Sequence, residues 1–207
     1  IGIASMTVSL TSLKQSLHAG LTAVAQGADP ALIYHSNAQL WASHPFNQLQ
    51  GLEAIRRVWS QLRYALPDMQ RRDQIFVAGN SKADARMPDD LEGRVLVASM
   101  GHYQGSFVND LCGIPATHGV VNLRVCEVHH LVEGKIAQSY VMLDLLERMG
   151  QAGCWPIAPS LGAEGMWSGP ATNDGVRLHT SDPAGGQTAF DTVIAMHNAL
   201  GSFDGKS

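Results

Sequence analysis

Charge is scarce in this chain. Only 15% of its 207 residues are Asp, Glu, Lys or Arg, against about a quarter in an average domain. A surface this poor in charge favours a large apolar cavity, a subunit interface, or both. The net charge of −4 comes with no basic run, which excludes the electrostatic footprint of a nucleic-acid binder. Cysteine is equally sparse. Cys112, Cys126 and Cys154 are an odd number without a CxxC pair, so reduced thiols and a cytoplasmic setting are expected rather than a disulfide scaffold. Long hydrophobic runs are missing too, and the apolar stretches fall short of a membrane span. The opening Ile1-Gly2-Ile3-Ala4-Ser5-Met6 lacks a basic segment followed by a long apolar one, so no secretory signal is expected there; Met6 is a candidate start.

What is present is an uneven division. Leu10, Leu13, Leu17, Leu21 and Val24 recur at three- and four-residue steps and predict an amphipathic helix over 8–27. Asp29-Pro30 restarts the chain, and 31–41 reads as a second helical or mixed segment. Ser43-His44-Pro45-Phe46-Asn47 is a turn. Leu52, Ile55, Val58, Trp59 and Leu62 line one face of a helix over 51–65 that Pro67-Asp68 stops. The pattern then becomes sheet-like: a short strand at 75–78, a long one over 95–107 with Gly101 and Gly105 as bends, and two more over 120–130 and 136–144. Helices first and antiparallel strands afterwards indicate α+β. Arg71-Arg72-Asp73 reads as a solvated surface run.

The most informative stretch is 120–150. Two apolar strands rich in β-branched residues flank Val132-Glu133-Gly134-Lys135, a hairpin signature. Asp144 ends the second strand. Among Val, Leu and Met its carboxyl should lose hydration, which raises a carboxyl pKa and suits acid–base work. The competing reading is that Asp144 caps the helix after it. His129 and His130 point to opposite faces, and the turn type decides which one shares the face of Asp144. A two-residue loop gives that face to His129. A three-residue loop with Gly134 at a left-handed position gives it to His130, and the reading leans to this form. Adjacent histidines on opposite faces make a metal clamp unattractive, and no HExxH or carboxylate–His spacing suggests a metal.

An ordered series of short motifs carries a resemblance. It runs Trp41-Ala42-Ser43-His44-Pro45, Gly51-Leu52-Glu53-Ala54-Ile55, Ala65-Leu66-Pro67-Asp68-Met69, Gly101-His102-Tyr103-Gln104-Gly105, Gly113-Ile114-Pro115-Ala116-Thr117, Gly134-Lys135-Ile136 and Asp144. Over residues 8–155 the chain resembles the SnoaL-like polyketide cyclases of the nuclear transport factor 2-like (cystatin-like) superfamily. The resemblance implies a cone of N-terminal helices on a strongly curved antiparallel sheet, with a deep pocket at its open end. It implies aldol cyclisation by an Asp near the end of the last strand, matched by Asp144, with a nearby His, matched by His129 or His130. The superfamily also holds isomerases, dehydratases, epoxide hydrolases and non-catalytic modules, so fold alone does not choose among them.

Two function classes therefore stay open. One is cofactor-free, metal-free acid–base catalysis on a small apolar carbonyl compound, by aldol cyclisation, isomerisation or dehydration. The other is a non-catalytic small-molecule-binding or assembly module. Trp41, His44, Phe46, Trp59, His102, Tyr103 and Tyr140 are candidates for substrate contact, weighed against ordinary wall, turn and core roles. A homodimer is expected from the charge-poor composition and an exposed sheet back, with neither nucleic acid nor membrane as partner. Residues 156–207 read as a Gly/Pro-rich arm with a terminal helix over 187–200. In some relatives such a connector leads into a second cone, and Phe190 to Asp204 is similar to the first helix of that copy. The arm is expected to wrap a neighbouring subunit.

Overall fold

The computed structural model describes residues 9–81, 93–159, 169–172, 174–180 and 182–202. Met6 and Phe203-Asp204-Gly205 lie outside them. Helix α1 (Leu10–Ala25) starts at Ser9, whose hydroxyl accepts from the Ser12 amide, a side-chain cap of the usual kind. The segment expected to be helical or mixed is mostly a strand. After a single 3-10 turn at Pro30–Leu32, Tyr34–Ala42 forms β1. Its alternation of buried Ala38 and Leu40 with half-buried Gln39 and Trp41 has the two-residue period of a sheet.

Next come β2 (Gln48–Gln50), α2 (Leu52–Ala65), β3 (Gln70–Asn80), β4 (Val95–Ser106), β5 (Val120–Val132) and β6 (Lys135–Leu143). Helix α3 (Leu145–Gln151) follows directly, and α4 (Pro183–Gly201) lies beyond the arm. The expected strand at 75–78 is thus eleven residues long and takes in Arg71-Arg72-Asp73. That triplet alternates across a sheet; it is not a surface run.

The strands form one six-stranded sheet in the order β2-β1-β6-β5-β4-β3. It is mixed rather than purely antiparallel, because β1 runs parallel to β6. Register shifts lie between Tyr34 and Gln39, Asp73 and Ile75, and His130 and Leu131; such bulges bend and twist strands. A Cβ built on Gly101 would stand 2.2 Å from the Arg72 carbonyl oxygen, so only glycine lets β3 press this closely on β4 at its bulge. Helices α1 and α2 cover one face, the inner face. There Leu17, Leu21, Ile55, Leu62, Phe76, Val97, Tyr103, Leu123, Val125 and Leu143 form one core.

Residues 175–180 of the arm lie against the chain's own body. Val176 pairs parallel with Phe76 on the open edge of β3. The Phe76 amide donates to the Gly175 carbonyl at 2.8 Å, and the Arg177 amide to the Phe76 carbonyl at 3.2 Å. Lys14 of α1 donates its ammonium to the carbonyls of Arg177 (2.6 Å) and Thr180 (2.7 Å). The wrapping expected around a neighbour is, for these residues, a wrap around β3 and α1. Helix α4 starts four residues earlier than expected, capped by Asp182, and buries none of its residues.

Candidate functional site

The hairpin loop settles which residues face inward. Glu133 and Gly134 both have positive φ (49° and 78°), the signature of a two-residue loop, and Val132 pairs with Lys135. The three-residue form is not taken. A bulge does occur, one step up the strand: Leu131 pairs with Ile136, but His130 pairs with Gln138 and His129 with Ser139. His130 therefore shares the parity of Asp144, through this bulge and not through a three-residue loop. That face, however, is the outer one.

On the outer face Tyr140 is exposed and stacks on Trp41 at a centroid distance of 4.9 Å. His130 meets Tyr140 edge-on at 6.2 Å. Asp144 accepts from the Glu147 amide at 2.9 Å, capping α3, and its other oxygen lies 3.6 Å from Arg124 Nε. Its side chain is 34% exposed. Gln138 and Asp144 are six residues apart, roughly 20 Å along a strand, so neither histidine reaches this carboxylate. The expected Asp144–His arrangement at an inner cavity is not formed; the capping alternative describes what Asp144 does. His102, paired with Arg124 and Arg72, also belongs to the outer face, and burial lowers its pKa. His44 is exposed in the cis-Pro45 turn, while Phe46 packs half-buried against the core.

Three of the expected site residues do meet on the inner face: His129, Tyr103 and Trp59. Trp59 of α2 contacts Tyr103 edge-on at 5.8 Å. Around them stands a charged cluster that sequence reasoning missed. Arg71 donates from Nη1 to Glu127 Oε2 at 2.6 Å, with the two side chains 1% and 2% exposed. Its Nε and Nη2 hold Asp73 as a two-pronged pair at 2.9 and 2.8 Å. Arg71 Nη2 also donates to Ser99 Oγ at 2.8 Å. The Tyr103 hydroxyl donates to Glu127 Oε1 at 2.7 Å, and the Ser99 hydroxyl to Oε2 at 3.0 Å. His129, fully buried, has Nδ1 2.8 Å from Ser139 Oγ and Nε2 3.6 Å from Glu127 Oε2. At the far end His18 Nε2 stands 3.1 Å from Asp73.

The electrostatics follow from this geometry. Burial by itself would raise the Glu127 carboxyl pKa, but the Arg71 guanidinium, His129 and the Tyr103 hydroxyl override it and hold Glu127 well below the usual carboxylate range. Arg71, despite burial, is driven above its ordinary value by Glu127, Tyr103 and Asp73. Burial and the Glu127 charge push the Tyr103 phenol far up, so it keeps its proton and remains a donor. Two carboxylates face one guanidinium, leaving one negative charge over. The rings of His129 and His18 each lie beside one of the two carboxylates. The cluster thus combines a fixed acceptor, a fixed phenolic donor and a buried imidazole.

The signal for Glu127 was present in the alternation Leu123, Val125, Glu127, His129, a carboxylate at a core position of a strand. The signal for Arg71 and Asp73 was hidden by underestimating the length of β3. A groove of about 440 Å³ lined by Pro45, Ser60, Gln61, Tyr64, Asp110, Leu111 and Cys112 is separate, sharing no residue with the cluster. Among the described residues no group of three or more His, Cys, Asp or Glu is arranged to hold a metal, and no helix is long and apolar enough to cross a membrane.

No family model and no curated protein matches the chain. Solved structures do. A protein of Jannaschia sp. CCS1 described as a SnoaL-like polyketide cyclase aligns with TM-score 0.53 and 16% identity, over 74% of this chain and all (100%) of that one. IdmH from Streptomyces antibioticus, described as a polyketide cyclase, aligns with TM-score 0.52 and 17% identity, over 68% of this chain and 98% of its own. AclR from Streptomyces galilaeus, described as a hydroxylase, aligns with TM-score 0.52 and 14% identity, over 73% and 87%. The chain has the SnoaL-like, α+β fold of these proteins.

Proposed function

We propose that the protein binds a small apolar carbonyl compound against the inner face of the sheet and moves a proton alpha to the carbonyl without a cofactor. The observation that carries this reading is the burial of His129 beside Glu127 with Tyr103 and Arg71 in the same network. His129 Nε2 is the proton acceptor. Ser139 fixes the ring through Nδ1, and Glu127 steadies the imidazolium that forms. The Tyr103 phenol, kept protonated, turns from Glu127 to the carbonyl oxygen, and Arg71 offsets the charge left behind. These are the roles the sequence reading gave to Asp144 and an inner His or Tyr; the residues differ. The fold shared with proteins described as polyketide cyclases is compatible with aldol cyclisation, isomerisation or dehydration of such a compound.

A second reading has its own observation. Glu127 already accepts from three donors and is 3% exposed, as a purely structural ion network would be. Hydrogen–deuterium exchange of 2-tetralone α-protons, followed by NMR, separates the two. The catalytic reading expects exchange above the buffer rate that is lost in His129→Asn and retained in Asp144→Asn. Equal exchange with wild type and His129→Asn leaves the structural reading. The homodimer expected from sequence has its candidate surface on the outer face, where Tyr140 and Met142 are exposed; sedimentation velocity tests it.

A further inference from the structure

Arg148 is an anomaly of this fold. It lies on α3 and is 1% exposed, yet no carboxylate pairs with it among the described residues. Its guanidinium carbon sits 4.4 Å over the Phe107 ring, and Nη1 donates to Gln151 Oε1 at 2.6 Å. Nε and Nη2 are shut off from water and have no hydrogen-bond partner among the described residues. Burial, first of all, lowers its pKa. A buried cation with unmet donors is a heavy cost to a fold unless something else compensates it.

The pattern of met and unmet donors is specific. Nε and Nη2 form one edge of the guanidinium, and two parallel N–H groups on that edge match the two oxygens of a carboxylate. Phe107 fixes the plane of the group, and Gln151 fixes its rotation by holding the opposite nitrogen. The result is an oriented fork rather than a mobile surface charge. Its placement is equally specific. Phe107 is fully buried and continues the inner wall four residues beyond Tyr103, roughly 13 Å along the strand. Between them the wall is apolar, with Val121 and Leu123 buried on the neighbouring strand.

We propose that Arg148 is the recognition group of a small-molecule carboxylate site at the α3 end of the inner wall, taking organic acids with an apolar body of medium length. This edge, Phe107 and Leu123 are closed to solvent, so the ligand enters as α3 shifts outward: the carboxylate closes on Nε and Nη2, and the apolar body packs along Phe107. The site stands whether or not the His129 cluster is catalytic.

Octanoate titrated into the full chain is the test, with 1-octanol as the probe of equal length that lacks the carboxylate. Octanoate should raise the melting temperature and move the Arg148 Nε resonance in ¹⁵N-arginine spectra, assigned by its disappearance in Arg148→Lys. Octanol should leave that resonance in place. Arg148→Lys keeps the charge but not the fork, and Arg148→Met keeps only the bulk; both should bind octanoate at least tenfold more weakly. Glu133→Asn, in the distant hairpin loop, should bind it as wild type does, and the readout needs no turnover, which separates this site from the acid–base reading. Octanoate affinity in Arg148→Met within twofold of wild type overturns the proposal, as does an Nε resonance that saturating octanoate leaves unmoved. Should neither variant fold, the wild-type melting temperature decides: a rise with octanoate and none with octanol supports the proposal, and equal shifts with both overturn it.

Discussion

Arg71 and Glu127 face each other across 2.6 Å from β3 and β5, with β4 between them. Tyr103 and Ser99, projecting from that middle strand, bond Glu127 from the same side. Three strands are thereby tied through one carboxylate.

Removing the charge of that carboxylate should be expensive. Glu127→Gln leaves Arg71 with Asp73 alone in a dry interior, and breaking a buried pair costs about 3–5 kcal/mol. Asp144→Ala should cost only about 1 kcal/mol, the usual value of a helix cap. Urea denaturation of the two variants beside wild type checks the order. Equal costs would contradict the partition of the two carboxylates into inner and outer faces.

Stability should fall on the acid side through Glu127. Its folded pKa is depressed, so an unfolded glutamate takes up its proton first, at about pH 4.3. Below that pH the unfolded chain binds more protons, and linkage makes unfolding easier as pH drops. The contribution is whole above pH 5 or so and is lost toward the depressed folded value. Glu127→Gln should show a flatter acid limb. Melting temperatures measured from neutral pH into the acid range would expose a slope that the substitution leaves unchanged, and with it an error in this assignment.

The arm should be displaceable by one methyl-bearing side chain. A Cβ on Gly175 would lie 2.2 Å from the Gln74 carbonyl oxygen, so Gly175→Val cannot keep the pairing with Phe76. Two main-chain hydrogen bonds are lost, about 1–2 kcal/mol in all. Amide exchange at Phe76 and Arg177 should accelerate while that of Val97 and Val125 in the central strands stays slow. Unchanged protection at Phe76 would show that the pairing does not persist in solution.

The hairpin loop holds a correctable strain. Glu133 adopts φ 49°, a conformation that costs a side-chain-bearing residue about 1 kcal/mol or more. Asn tolerates it better and is favoured before Gly in such loops. Glu133→Asn should therefore raise stability by about 0.5–1 kcal/mol, read from the denaturation midpoint.

Much of the fold was legible because periodicity reports burial. The leucine spacing in α1, the one-sided face of α2 and the alternation of β4 and β5 each follow from one buried side. Sequence reading failed where a single residue changes parity. The bulge between Ile136 and Gln138 puts His129 and Asp144 on opposite faces, and no residue type announces it. It failed again at Arg71-Arg72-Asp73, because polar residues inside a sheet look like solvated ones until their partners on β4 and β5 are known. Tyr103 and Trp59 were recognised as wall and core candidates; that Tyr103 donates to Glu127 was beyond reach, since the two are 24 residues apart.

The tether along β3 has a practical consequence for anyone shortening this protein. Cutting after α3 would bare a ledge of unpaired amides and carbonyls around Phe76, and it would leave the Lys14 ammonium, 4% exposed, without the two carbonyls that solvate it. Bare ledges of this kind zip onto one another. A trimmed version should aggregate more readily than the longer one, with the exposed edge around Phe76 as the point of contact.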